Sequence, residues 1–130
     1  EWKKRGLKEG IQFATLTDII TKAWSGNTTK EYKILKGLKK ENLRDNMTNT
    51  ELILNMLAEA STKDISQVEN PETFEESAKI AQQGGKIAGD ARKALEAKTG
   101  KKVVTSLNAK TALKEKDEPK QIDKKKPKDK

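Results

Sequence analysis

Five basic side chains, Lys33, Lys36, Lys39, Lys40 and Arg44, recur at steps of 3, 3, 1 and 4. If residues 32–46 form a helix, Lys33, Lys36 and Lys40 share one face, with Arg44 a turn further on. Cationic groups so spaced can neutralise a phosphate backbone, or meet an acidic partner, without reading base sequence. Leu35, Leu38 and Leu43 would then be free to face a core. An ordinary solvated helix face has the same composition, so both readings stand. Two features favour contact. Charge is segregated rather than interspersed: residues 30–44 carry a net +4, and residues 45–76 a net −7. Asn42 and Asn46 also add amide donors without adding negative charge.

Other chemistries find little to work with. The chain has no Cys and no His. That removes disulfides and the Ser-His and Cys-His nucleophile pairs, and it argues against a structural zinc site. Glu96-Ala97-Lys98 is the E-x-K half of a nuclease triad, but that chemistry wants an upstream Asp and a strand, and the triplet ends a helical pattern. Glu69, Glu72, Glu75 and Glu76 lie beside helix starts, where negative charge is favourable. A phosphate loop needs a Gly five residues before its Gly-Lys pair; Ile80 and Leu95 occupy those places. No catalytic residue, metal, cofactor or small-molecule substrate is therefore expected, and the chain is read as a binding protein rather than an enzyme.

The elements that must position the basic run can be read from caps and periodicity. "EWKKRG" reads as the last turn of a helix ended by Gly6, and "GIQFATL" as an extended connector. Leu16, Ile19, Ile20, Ala23 and Trp24 then fall at helical spacing, with Thr15 or Thr17 as cap and Gly26 as stop. Thr28 with Glu31 makes a capping box for a short helix, and Thr48 with Glu51 a second, before a helix over 49–69. That helix shows Leu54, Leu57, Ser61, Ile65 and Val68 as its apolar stripe, widened by Ile53, Met56 and Ala60. Asn70-Pro71 ends it, and a further helix is expected over 72–98, stopping at Gly100. Ala81, Gly85 and Gly89 share a face of this last helix at four-residue spacing. They read as a site of close helix packing against the preceding long helix; a hinge at Gly84-Gly85 or a ligand loop are the other readings.

Charge and hydropathy bound the rest. With 37% charged and 32% hydrophobic residues, the chain has a thin core for its 130 residues. Residues 98–130 hold twelve Lys and five acids, most of the net +8. Residues 114–130 are expected to be a disordered Lys-rich tail, since Ile122 is their one aliphatic side chain and ordering them would bury too little. Such a tail is either a salt-sensitive nucleic-acid arm or a solubilising terminus, and it carries no aromatics for base stacking. No apolar run approaches a membrane span, so a cytoplasmic protein without membrane contact is expected. Starting at Glu1-Trp2 without Met, the chain reads as part of a longer protein.

Three blocks occur in order: "EWKKRGLKEGIQFATLTDIITKAW", "EYKILKGLKKENLRDNMTNTELILNMLAEAST" and "AQQGGKIAGDARKALEAKTGKKVV". Together they resemble the C-terminal half of the DNA-damage-inducible protein D family, which is related to the BRO-type phage antirepressors. The likeness covers residues 1–105, with 37–62 its most distinctive part. It implies an N-terminal BRO-type domain, taken as the DNA-binding part, ahead of this region. It also implies expression in the bacterial DNA-damage (SOS) response, often in prophage-bearing hosts. It transfers no catalytic residues, and the Lys-rich tail departs from it.

The expected architecture is a mainly α-helical domain over 1–113 with four or five helices, two of them long and antiparallel. The expected function is that of a non-enzymatic regulator binding DNA or a DNA-bound protein. The alternative is an interaction or homo-oligomerising module with no nucleic-acid contact. Lys33, Lys36, Lys39, Lys40 and Arg44 are its candidate contact residues.

Overall fold

A computed structural model describes the backbone of residues 2–110 and the side chains of residues 9–110. The tail expected over 114–130 lies outside the described residues, as does the Trp2 side chain. The architecture is mainly helical: α1 (Trp2–Ser25), α2 (Thr29–Leu35), a 3-10 turn (Arg44–Asn46), α3 (Asn49–Glu69) and α4 (Phe74–Thr99).

The caps explain most of these boundaries. Both capping boxes are closed, Thr28 with Glu31 and Thr48 with Glu51. α3 ends with Asn70 in the left-handed region, ahead of Pro71. α4 starts two residues later than expected, because Thr73 takes the cap position and its hydroxyl accepts from the Glu76 N–H at 3.1 Å. It ends at Gly100, whose φ of +73° suits a residue with no Cβ.

α1 corrects the reading of its region. There is no stop at Gly6 and no extended connector before Leu16; one helix runs through. Thr15, one of the two residues expected to cap, instead turns its hydroxyl back on its own helix, and Thr21 does the same. Thr15 donates to the Ile11 carbonyl and Thr21 to the Thr17 carbonyl, each at 2.9 Å. Bonded this way, a Thr is compatible with a helix interior.

α4 packs against both α1 and α3, which touch each other far less. The short 70–73 connection turns α3 and α4 antiparallel. α1 and α4 run parallel: Gly85 meets Ile20 and Ala23, Gly89 meets Ala23 and Trp24, and Arg92 reaches the Trp24 carbonyl. The small-residue face therefore has a different partner from the one expected. Gly85 and Gly89 accommodate α1, not α3; a Cβ on Gly85 would stand 2.5 Å from the Ala23 methyl, and one on Gly89 2.7 Å from the Ala23 carbonyl oxygen. Ala81, on the same face, is buried. The residue that meets α3 is Gly84, against Thr62. Both glycines of the 84–85 pair lie inside an unbroken helix.

The core is correspondingly small: Trp24, Tyr32, Leu54, Ala58 and Ala88, with Ile20, Leu43, Met47, Ala91, Val103 and Val104 packed around them. The Trp24 and Tyr32 rings lie 6.1 Å apart, tilted at 59°. α3 is rotated relative to its expected apolar stripe. Glu51, Leu54, Asn55 and Ala58 face inward, whereas Ile53, Met56 and Leu57 are exposed and Val68 is 83% exposed. Two polar residues take core positions because both are hydrogen-bonded there.

Candidate functional site

The short helix expected after Thr28 forms, but a continuous helix over 32–46, the condition for one shared basic face, does not. α2 stops after seven residues in a Schellman turn. Lys36 is the C-cap, and Gly37 follows at φ +72°. The Gly37 N–H donates to the Ile34 carbonyl at 3.0 Å and the Leu38 N–H to the Lys33 carbonyl at 2.9 Å. An L-residue with a Cβ would be strained at Gly37, so the glycine in "KGLK" is the signal that breaks the run.

That turn sends Lys36 inward. Its side chain is fully buried and pairs with Glu51 at 2.8 Å, so it belongs to no phosphate-contact face. The ammonium also donates to the Thr105 carbonyl at 2.9 Å and to the Leu107 carbonyl. Three acceptors match its three protons. It lies 5.7 Å from the centre of the Tyr32 ring. The other Glu51 oxygen accepts from the Tyr32 hydroxyl, while Oε1 also takes the Thr48 N–H at 2.8 Å as part of the capping box. Burial, followed by the Glu51 carboxylate, pushes the Tyr32 phenol far above its ordinary range, which keeps it a donor. Close by, Trp24 Nε1 donates to Asn55 Oδ1 at 3.1 Å. These groups satisfy one another and form an internal clasp.

The clasp holds the chain that follows α4. Residues 101–109 form a strap across the domain, fixed largely through its backbone. The Val103 N–H donates to Glu96 Oε2 at 3.0 Å and the Ala109 N–H to Asn46 Oδ1 at 2.9 Å. Asn108 Nδ2 donates to the Lys36 carbonyl at 2.8 Å. The Val103 N–H, with the Arg92 guanidinium beside it, holds the Glu96 carboxyl below the usual range. Arg92 also donates to the Trp24 carbonyl at 2.7 Å, closing the end of α1.

The remaining basic residues divide. Arg44 is exposed but ion-paired with Glu59 of α3 at 2.5 Å. Lys40 is exposed beside Glu41 and Arg44. The charge segregation of the sequence is thus partly cancelled in space, since Lys36–Glu51 and Arg44–Glu59 both join the basic segment to the acidic one. Lys33 and Lys39 line a groove of about 900 Å³ between α1 and α2. Ile11, Phe13, Ala14, Ile34 and Leu38 supply its apolar wall. Ile11, Phe13 and Ile34 are 59%, 72% and 67% exposed, unusual for large apolar side chains gathered around one hollow. Lys30 joins Lys33 and Lys39 at the edge, and among the described residues none of the three forms an ion pair. Asp18, the acid of this rim, accepts the Thr29 N–H at 2.7 Å. As an extended connector "GIQFATL" would line no groove; on a helix, Ile11, Ala14 and Asp18 lie at one-turn spacing.

No helix among the described residues is long and apolar enough to cross a membrane. No protein-family model, curated protein or solved structure matches the chain.

Proposed function

We propose that this chain acts by docking a protein partner in the α1–α2 groove, and that it works by binding rather than catalysis. The observation that carries this reading is an apolar wall, formed by Ile11, Phe13 and Ile34, edged by Lys30, Lys33 and Lys39, which form no ion pair among the described residues. An apolar centre with a charged rim is the anatomy of a protein interface. A phosphate backbone would satisfy the lysines but leave the wall wet. The partner that fits is a segment with one apolar face flanked by Asp or Glu, such as an acidic amphipathic helix. From Ile11 to Asp18 the groove follows α1 for about 10 Å, enough for anchors at i and i+4 of such a helix. In the setting that the family resemblance implies, the partner is a protein of the DNA-damage response or of a prophage regulatory circuit.

Direct nucleic-acid binding is the second reading, favoured by the exposure of Lys39 and Lys40. Anisotropy titrations of labelled acidic amphipathic peptide, single-stranded DNA and duplex DNA at two salt concentrations separate the two. Docking predicts peptide binding that falls about tenfold or more in Phe13→Asp or Ile34→Asp. If DNA binds and the peptide does not, and neutralising Lys33, Lys39 and Lys40 flattens the salt dependence, docking is wrong.

A further inference from the structure

Lys36 stands at the junction of two features. Before it come Lys33 and Ile34, and after it Leu38 and Lys39, all of which line the groove. Its own polar groups point the other way, to the strap. Its ammonium holds the Thr105 and Leu107 carbonyls, and its carbonyl accepts from Asn108. The α2 wall of the groove is therefore fastened from behind by a segment some seventy residues later in the chain.

We infer that the strap, residues 101–109, preorganises the groove, so that displacing the strap loosens the Schellman turn and weakens whatever docks against it. This inference rests on the docking reading proposed above. The physical route is short. Without the strap, Lys36 keeps Glu51 but loses two of its three acceptors, and its carbonyl loses the Asn108 amide. An ammonium so exposed recruits water, and the competition falls on the bonds nearest to it, those that Gly37 and Leu38 donate to Ile34 and Lys33. α2 touches α1 only lightly, through the Thr29 N–H on Asp18, the Lys22–Glu31 ion pair and the Trp24–Tyr32 rings, and none of these reaches the turn at residues 36–38. A binding surface whose wall must be ordered on docking binds more weakly than one ordered beforehand. The strap attaches through backbone atoms and two half-buried valines, Val103 and Val104, so it can be released without altering the groove's own residues.

The test uses the full chain and two variants. Val104→Asp forces a charge into the strap's packing, and Asn108→Ala removes the side-chain tie to the Lys36 carbonyl. Hydrogen exchange is read at Gly37 and Leu38, at Val103 and Ala109 in the strap, and at Ala88 in α4 as an internal control. Affinity for an acidic amphipathic helical peptide is measured alongside. Coupling predicts exchange at Gly37 and Leu38 at least about tenfold faster once the strap amides lose protection, with Ala88 unchanged, and peptide affinity down by about tenfold. If the strap amides lose protection while Gly37 and Leu38 exchange as in the wild type, the coupling does not exist. Should Val104→Asp also deprotect Ala88, the chain has unfolded and Asn108→Ala decides. A wild type that ignores the peptide overturns the docking reading alone, because the exchange at Gly37 and Leu38 still decides the coupling.

Discussion

Lys33 and Lys36 sit three residues apart at the end of one short helix and have opposite roles. Lys36 is sealed in the interior with three acceptors, one of them the Glu51 carboxylate. Lys33, with Lys30 and Lys39, edges an open apolar groove and pairs with no acid among the described residues. The same side chain closes the interior in one place and edges an open surface in the other. What separates them is whether the backbone turns, since Gly37 ends the helix and swings Lys36 in. Charge in sequence is therefore a poor guide to charge on the surface. Of five basic residues at helical spacing, one is a core group and one is neutralised by Glu59.

The sharpest way to break this comparison is to remove the buried lysine's charge. Lys36→Met leaves Glu51 unpaired in the interior and should cost about 3–5 kcal/mol of unfolding free energy in urea titrations. Adding Glu51→Gln should cost much less than a second full penalty, because it removes the stranded charge. A Lys36→Met variant as stable as the wild type would place Lys36 on the rim with the others. Next in size is the other interior contact, α1 on α4. Gly85→Ala should lose about 1–3 kcal/mol, although alanine suits a helix better than glycine, because its Cβ would clash with Ala23 and the Ile20 carbonyl. Calorimetry showing a higher melting temperature would mean that the two helices can move apart at little cost.

Acid should act on the strap with a smaller effect. Glu96 is held below the usual carboxylate range in the folded chain, first by the Val103 N–H and then by Arg92. Its contribution is thus fully present above its unfolded pKa of about 4.3 and lost as pH falls through the lower folded value. The protection of the Val103 amide, corrected for its intrinsic exchange rate, should decline only below about pH 4. The smallest effect on stability is expected at the rim. Lys30→Glu, Lys33→Glu and Lys39→Glu should each shift stability by no more than about 0.5 kcal/mol. Together they should reduce binding of an acidic peptide by about tenfold, read by anisotropy at low salt.

Local chemistry was legible in the sequence, and tertiary chemistry was not. Both capping boxes and the full extent of α3 could be read because a cap is decided within four residues. The small-residue face of α4 was visible as spacing, but its partner was not, because nothing local distinguishes α1 from α3 as the helix that lies on it. The stripe of α3 was misassigned for the same reason. Glu51 and Asn55 look like surface residues until Lys36, Tyr32 and Trp24 are brought to them from elsewhere in the chain. The groove needs α1 to continue through Gly10, and glycine in a helix is a cost that sequence reading takes as a boundary. Gly37 was the one local signal left unread; followed by Leu38, it marks the end of α2 and so the fate of Lys36.

The span between Lys36 and its strap also sets an order of events at the ribosome. The Thr105 carbonyl is 69 residues downstream of Lys36, and the Asn108 amide 72. At about 5–20 residues per second, roughly 3–14 s pass between the synthesis of the lysine and that of its last hydrogen-bond partners. During that interval α2 and the start of α3 can already be helical and paired, yet the ammonium must stay hydrated and the core around Tyr32 cannot close. The nascent chain thus carries an open, wetted interior until residues 105–108 are made, and that is the stage at which its exposed apolar groups are most in need of protection from aggregation.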